Sequence, residues 1–300
     1  MARVAFIGIG TMGLPMARCV IAAGHDVVAC DIDTTRTAKL GVDTVSTAAE
    51  AARRCDVVIT SLPSVAAVED AILGEHGVAA GARSGTSVID MSTSPPALAR
   101  RLAESLAERD VTFLDAPVSG GPTGAEAGTL AIMVGGEEDV FDRLAGLLGA
   151  MGARVEYVGA HGAGQTVKLC NNLMVACTMA GMAEVSAVLE REGVDPEQAY
   201  EVFTHSTSDS SVMRRRFPLA GVRPEHPASK NFEPMFRLDL LVKDITLAQE
   251  LLASHGLESS MGVTAAALYE TALEQGLGAL DYSAVYRAVE SDTDAVESDA

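Results

Sequence analysis

Near the amino terminus, residues 4–13 read VAFIGIGTMG, a short apolar run that leads directly into a G-x-G-x-x-G motif. We expect Gly8 to form the tight turn that ends a strand, and Gly13 to let the following helix pack closely on that strand. A glycine at Gly10 allows a phosphate group to approach the backbone. The stretch therefore predicts a β-strand, a phosphate-binding turn and a helix, in that order.

Thr11 and Met12 lie where the first helix begins, so their amides and the positive end of the helix dipole favour an anion. The second predicted strand ends at Asp31, at about the offset where a carboxylate accepts hydrogen bonds from the ribose hydroxyls of adenosine. Motif and carboxylate together predict a dinucleotide site. Because Asp31 repels a 2′-phosphate, the sequence favours NAD, and Arg36 leaves NADP open as the alternative.

Short apolar runs alternate with helical patterns through the first half of the chain, which indicates a parallel sheet covered by helices. The predicted strands are residues 4–8, 26–30, 57–60, 87–90, 112–114 and 130–134. Beyond Gly164 every pattern is helical, beginning with a long apolar helix over residues 165–190. The sequence predicts an α/β fold with a Rossmann-type doubly wound, mostly parallel sheet, followed by an all-α domain joined by a long bridging helix.

Four segments are expected along the chain. They are a dinucleotide-binding domain at residues 1–163, an interdomain helix at 164–192, an all-α domain completing the active site at 193–290, and an acidic disordered tail at 291–300. A helix that is apolar on most of its faces is buried in a core or between subunits. We therefore expect a homodimer or a homotetramer.

The composition limits the kinds of partner. Acidic residues outnumber basic ones 41 to 22, so a chain of net charge −19 is not expected to bind nucleic acid or an anionic membrane. The five cysteines have no CxxC spacing, which favours a reducing cytoplasm. No histidines cluster with them, so no metal site is expected. The longest uncharged stretch, residues 169–183, is too short to span a bilayer. We expect a soluble cytoplasmic protein with a small-molecule partner.

A second glycine-rich segment covers residues 115–130, directly after a predicted strand. Ser119, Gly120 and Gly121 would present a hydroxyl group and bare amides to a carboxylate, so a small carboxylate substrate is the functional interpretation. The alternative is a connector rich in turns.

Lysine is scarce, with four lysines beside 18 arginines. Lys168 and Asn172 lie four residues apart on the long apolar helix, where burying them is costly unless they act. The alternative for Lys168 is a side chain that extends from the first turn to solvent. Lys243 lies in another apolar helix, where an ordinary surface pair with Asp239 is the alternative.

These four motifs, in this order, resemble those of the β-hydroxyacid dehydrogenases, the family of 3-hydroxyisobutyrate dehydrogenase and tartronate semialdehyde reductase. The resemblance covers essentially residues 3–290. It implies that Lys168 is the catalytic acid/base, that the Ser119 motif and Asn172 bind the substrate, and that Lys243 approaches the nicotinamide. The implied activity is the NAD(P)-dependent interconversion of a small 3-hydroxy acid and its semialdehyde, as in 3-hydroxyisobutyrate dehydrogenase.

The same resemblance places Leu62, Pro63 and Thr93 at cofactor-contacting positions. Arg18 departs from the family pattern, which usually has an asparagine at this place. Tartronate semialdehyde reduction is the alternative activity. An imine reductase, which generally lacks the lysine, and a non-catalytic dinucleotide-binding module are less favoured. The run Arg214–Arg216 either adds a second anion-binding group or forms a solvated face.

Overall fold

The computed structural model describes residues 2–290. Within that range the chain forms two units, of which the first ends at Lys168 and the second begins at Leu169.

The first unit is a sheet whose strands alternate with helices. Its strands are β1 (Arg3–Ile7), β2 (Asp26–Cys30), β3 (Asp43–Val45), β4 (Val57–Thr60), β5 (Ser87–Asp90), β6 (Thr112–Asp115), β7 (Val118–Ser119), β8 (Leu130–Gly136) and β9 (Gly152–Gly159). Its helices are α1 (Gly13–Ala22), α2 (Thr34–Thr37), α3 (Ala48–Arg54), α4 (Val65–Leu73), α5 (Val78–Gly81), α6 (Pro96–Ala107), α7 (Gly121–Glu126) and α8 (Glu138–Leu148). A 3₁₀ turn covers Ala38–Leu40.

The strands are ordered β3-β2-β1-β4-β5-β6-β8-β7, and β9 pairs with β8. All pairs from β3 to β6 are parallel, whereas β8 runs antiparallel to both β6 and β7 and parallel to β9. Because helices cover both faces of a parallel sheet, its central strands are buried throughout, as β4 is. Strand order reverses between β1 and β4, the place where open α/β sheets bind ligands.

The predicted fold class is confirmed, and the predicted strands match β1, β2, β4, β5, β6 and β8 to within two residues at each end. Three strands were missed. β3 and β7 have only three and two residues, and β9, GARVEYVG, is half-buried or exposed at all but one residue and carries Arg154 and Glu156. Short or polar edge strands leave little periodic signal.

The second unit is helical in its described residues. Helix α9 (Ala163–Arg191) enters it from the first unit, and α10 (Pro196–Thr204), α11 (Ser211–Arg216), α12 (Leu238–Ser254) and α13 (Ser260–Glu274) follow. The 3₁₀ turns Pro227–Lys230, Leu277–Ala279 and Tyr282–Val285 connect these helices, and residues 286–290 are helical. The predicted segment at 291–300 lies outside the described residues, and the predicted domain boundaries stay a proposal.

Helix α9 is 29 residues long, which is longer than the uncharged stretch of residues 169–183 on which the length argument against a membrane span was based. It is the one helix within residues 2–290 long and apolar enough to cross a bilayer, and 44% of its most apolar window is buried in the protein. Core helices of globular proteins pass the same test. Its large apolar residues at Val167, Met174, Val185 and Val188 are exposed in the single chain.

Candidate active site

The turn after β1 needs glycine at two positions. Gly8 has φ +91°, and a Cβ there would lie 2.3 Å from the Ser61 carbonyl oxygen. A Cβ on Gly13 would lie 1.9 Å from the Gly8 carbonyl oxygen, so α1 packs directly on the turn. Both glycines therefore occupy the places predicted for the tight turn and for close helix packing.

The space in front of Gly10 is open. A Cβ at this position would meet one atom within 4 Å, Nη1 of Arg36 at 3.9 Å. The residue that precedes helix α1, Met12, offers no side-chain cap, so the positive end of the helix dipole faces this space. A pyrophosphate group would fit against Gly10 and the first amides of α1.

Asp31 ties the turn to the end of β2. Its Oδ2 accepts the Ile9 amide at 2.6 Å and its Oδ1 accepts the Asp33 amide at 2.8 Å. A carboxylate has about four acceptor sites, so two stay available for ribose hydroxyls. Arg36 forms an ion pair with Asp33 at 3.2 Å. The glycine turn after β1, the start of α1 and the Asp31 carboxylate therefore fit a dinucleotide.

Side-chain hydrogen bonds connect the turns that follow β4 and β5. Asp90 Oδ1 accepts the Thr60 hydroxyl at 2.8 Å and the Ser92 amide at 3.1 Å, and the Ser92 hydroxyl accepts the Leu62 amide at 2.9 Å. These bonds hold Leu62 at the carboxyl edge of the sheet. Thr93 is half-buried between the buried Ser92 and Ser94.

Ser119 belongs to the short strand β7, and Gly120 and Gly121 follow it at the start of α7. Their φ values are +135° and +64°, a conformation that residues with side chains rarely adopt. A Cβ on Gly120 would also come within 3.0 Å of Leu130 Cδ2. Glycine is therefore required here, and the segment presents bare backbone beside a hydroxyl group.

Asp115 caps the start of α9. Its carboxylate accepts the amides of Gly162 at 2.7 Å and Gln165 at 3.0 Å. Burial raises the pKa of Asp115 to about 6, although both hydrogen bonds lower it. Gly164 packs against this cap, since a Cβ there would lie 2.7 Å from the Asp115 carbonyl oxygen. The first turn of α9 is thus anchored to the carboxyl end of β6.

Lys168 lies one turn after Gly164 on α9, and only 7% of its surface is exposed. A lysine that extends from the first turn to solvent would be largely exposed, so that alternative is excluded. The ammonium group is placed in the same unit as the phosphate turn.

In the second unit, Asp244 on α12 brings two predicted residues together. Asn172 Nδ2 donates to Asp244 Oδ2 at 2.6 Å, and Lys243 Nζ lies 3.1 Å from Asp244 Oδ1. Asp244 is 2% exposed, so this carboxylate is held among partners rather than in water. Asp239 pairs with Arg237, and the Lys243–Asp244 pair is partly buried rather than an ordinary surface pair.

The arginine run does not form a single anion-binding face. Arg214 pairs with Asp209, whereas Arg216 is buried, pairs with Asp281 at 3.2 Å and stacks on the Tyr282 ring. Asp281 also accepts the amides at 235 and 236, so this ion pair orders the segment before α12.

Sequence reasoning missed Asp115, Gln165 and Asp244 as site residues. The motif that contains Lys243 includes Asp244, and a carboxylate inside an apolar helix was the available signal. Among residues 2–290, no group of three or more histidine, cysteine or acidic side chains is arranged to hold a metal ion.

Fold and site define the class as a dinucleotide-dependent dehydrogenase with a Rossmann unit and an all-α unit. A family model described as the NAD binding domain of 6-phosphogluconate dehydrogenase matches residues 3–159. A second, described as NAD-binding of NADP-dependent 3-hydroxyisobutyrate dehydrogenase, matches residues 162–289. The chain belongs to the β-hydroxyacid dehydrogenase family, as its motifs predicted.

Three relatives show the range of named activities. An NAD-dependent L-serine dehydrogenase of Pseudomonas aeruginosa is 36% identical, over 96% of this chain and 97% of its own length. A 3-hydroxyisobutyrate dehydrogenase of the same organism is 39% identical, over 83% of this chain and 84% of its own. A solved structure of Mycobacterium tuberculosis 3-hydroxyisobutyrate dehydrogenase with L-serine matches with TM-score 0.89 and 36% identity, covering 96% of this chain and 99% of that one. The chain is an NAD-dependent oxidoreductase that acts on CH–OH groups.

Proposed function

We propose that the protein interconverts a small 3-hydroxy acid and its semialdehyde, with Lys168 as the general acid/base. The observation that carries this proposal is a buried lysine on a helix whose first turn is bonded to the carboxyl edge of the nucleotide-binding sheet. That edge is where open α/β sheets bind their ligands.

Bound NAD would supply the hydride chemistry at its nicotinamide C4. The chain has to hold the substrate and move one proton. In the direction of reduction, the Lys168 ammonium donates a proton to the carbonyl oxygen that becomes the hydroxyl group. In the direction of oxidation, the neutral amine takes that proton back. Arginine cannot perform this step because it does not lose its proton in proteins.

Ser119 and the backbone amides of Gly120 and Gly121 are proposed to bind the substrate carboxylate. Their support is a pair of glycines with positive φ values directly after Ser119, since successive backbone amides in such turns can bind an anion. Asn172, one helical turn after Lys168, is proposed as a second substrate contact. The cofactor-binding roles of Thr11, Met12, Leu62, Pro63, Thr93 and Lys243 stay predictions.

Two substrate types are favoured by the relatives, 3-hydroxyisobutyrate and L-serine, both small acids with a hydroxyl group on C3. Tartronate semialdehyde reduction is the alternative. The test is NAD reduction by purified protein with L-serine, 3-hydroxyisobutyrate, glycerate and 4-hydroxybutyrate. We expect the highest kcat/KM with a 3-hydroxy acid. No turnover of any of them, with NADH still bound, would favour a non-catalytic dinucleotide-binding module.

An imine reductase is disfavoured because its chemistry does not require a lysine at the position of Lys168. Reduction of a cyclic imine with NADPH, faster than oxidation of every hydroxy acid in the panel, would overturn our assignment.

We further infer a homodimer or homotetramer, because α9 exposes Met174, Val185 and Val188 on one face of the single chain. Analytical ultracentrifugation tests this inference, and a monomer at micromolar concentration would contradict it. A cytoplasmic location stays a prediction that rests on the spacing of the five cysteines. The exclusion of nucleic acid and anionic membranes stays a prediction that rests on the net charge of −19.

A further inference from the structure

A single glutamine connects two loops at the carboxyl edge of the sheet. Gln165 Oε1 accepts the Ser94 amide at 2.9 Å, and Gln165 Nε2 donates to the Ser92 carbonyl oxygen at 2.8 Å. Its own amide donates to Asp115 at 3.0 Å. Gln165 is fully buried, so water cannot replace these partners.

The carboxamide is the group this position requires. One partner is a backbone donor and the other a backbone acceptor, so a single orientation of the amide satisfies both. Replacing either the oxygen or the amino group of this carboxamide would leave a buried backbone group without a partner. Such a loss lowers the free energy of unfolding by about 1–3 kcal/mol.

The two hydrogen bonds of the Gln165 carboxamide to Ser92 and Ser94, called the clamp from here on, span Thr93. The two bonds hold the residues on either side of Thr93, both buried, and leave Thr93 itself half-buried. Three residues after Gln165 on the same helix comes Lys168. The clamp therefore fixes the spacing between the loop that carries Thr93 and the helical turn that carries the lysine.

We propose that Gln165 is a positioning residue whose carboxamide fixes the position of Thr93 relative to Lys168. The proposal rests on the proposed role of Lys168 as acid/base. It extends to the cofactor side, because Ser92, one of the two clamped residues, also accepts the Leu62 amide through its hydroxyl group.

Two variants separate positioning from a general loss of stability. Gln165→Met keeps the side-chain volume and removes both bonds. A misplacement of about 1 Å costs about a hundredfold in rate, so we expect kcat to fall by roughly that factor. Thr204→Val is the control, because it removes a buried hydroxyl bonded to the Tyr200 carbonyl in the other unit. We expect it to lower the melting temperature and leave kcat unchanged.

Gln165→Glu tests the role of the carboxamide through the pH dependence of kcat. An ionised carboxylate accepts the Ser94 amide but repels the Ser92 carbonyl, whereas the protonated acid can make both bonds. We expect kcat to be low at pH 8 and to recover toward wild type as the pH falls, because burial raises the pKa of a carboxyl group.

Other groups near this position are charged or titratable. Asp115 lies at the end of β6, Asp90 at the end of β5, Lys168 on α9 and His161 just before α9. Wild type contains all four groups, so the pH dependence of its kcat is the reference for the variants. Gln198→Glu on α10 is the control for the same charge change at an exposed position.

The measurements are kcat and KM with L-serine and 3-hydroxyisobutyrate, and NADH affinity by fluorescence titration, each from pH 5 to 9. Recovery of kcat or of NADH affinity at low pH in Gln165→Glu alone supports the proposal. A wild-type pH profile in Gln165→Glu, or wild-type kcat in Gln165→Met, overturns it.

The same experiment separates this proposal from the proposed function. If Lys168→Ala stays active, the role of Lys168 fails whatever Gln165 does. If neither substrate is turned over, NADH affinity still decides, because the clamp reaches the Leu62 turn. Unchanged NADH affinity in both Gln165 variants would then overturn the proposal.

Discussion

Asn172 on α9 donates a hydrogen bond of 2.6 Å to Asp244 on α12, and both side chains are buried. The same carboxylate faces Lys243 at 3.1 Å through its other oxygen. Asp244 therefore fixes the orientation of the Asn172 carboxamide, which is the group proposed to hold the substrate.

Asn172→Ala removes one partner of a buried carboxylate. We expect the free energy of unfolding to fall by about 1–3 kcal/mol, measured by urea denaturation, and KM for the hydroxy acid to rise with NADH affinity little changed. Asn171→Ala is the control, because it removes only the bond to Asn172 Oδ1. Equal effects of the two variants on KM would argue against substrate contact by Asn172.

Asp31 should decide cofactor choice. We expect wild type to bind NAD more tightly than NADP, and Asp31→Asn to weaken NAD binding by about tenfold or more, since an amide cannot replace both accepted bonds. Isothermal titration with both dinucleotides measures this. Asp33→Asn releases Arg36 from its ion pair and should improve NADP binding instead. Tighter binding of NADP than NAD by wild type would contradict this account of Asp31.

Gly13→Ala tests the packing of α1 on the phosphate turn. A Cβ 1.9 Å from a backbone oxygen cannot be accommodated without moving the helix, so we expect a loss of about 3 kcal/mol, the upper end of the usual cost of overpacking, and weak NAD binding. Gly146→Ala on α8 is the matched control, because nothing lies within 4 Å of its Cβ. There we expect a gain of about 0.5–1 kcal/mol. Thermal unfolding compares the two, and similar melting temperatures would refute the packing argument.

Asp115 gives the stability a pH dependence. Its pKa is raised from 3.8 to about 6 by burial, so the folded protein binds this proton more tightly than the unfolded chain. This contribution is fully present below pH 3.8 and is lost as pH rises through about 6, with a size of roughly 3 kcal/mol. Asp115→Asn should remove it.

Urea denaturation of wild type and Asp115→Asn between pH 4 and 7.5 measures the effect. The stability of wild type relative to the variant should increase as pH falls. Asp142→Asn, at an exposed position on α8, controls for loss of a carboxyl group. A constant difference between wild type and Asp115→Asn across this range would show that Asp115 has an ordinary pKa.

Local sequence signals predicted the parts of the site that depend on neighbouring residues. The turn at Gly8–Gly13, the carboxylate at Asp31 and the glycines after Ser119 each follow a strand at a fixed spacing, so they could be located without a structure. Family resemblance added roles for Lys168 and Asn172.

The missed residues act over long sequence separations. Asp115 and Gln165 are 50 residues apart, Gln165 and Ser92 are 73 apart, and Asn172 and Asp244 are 72 apart. A buried glutamine in the first turn of an apolar helix looks like any polar helix residue until its partners are known. Arg216 shows the converse, because a run of three arginines concealed one buried structural ion pair.

The most direct test of Lys168 as the acid/base is single-turnover hydride transfer in Lys168→Ala, with the best substrate of the panel and saturating NAD. Lys230→Ala, an exposed lysine, is the matched control. We predict that Lys168→Ala slows hydride transfer by about a hundredfold to ten-thousandfold while NADH affinity stays close to wild type. Hydride transfer at more than about a tenth of the wild-type rate would contradict the assignment, because such a loss is below the usual contribution of general acid–base catalysis.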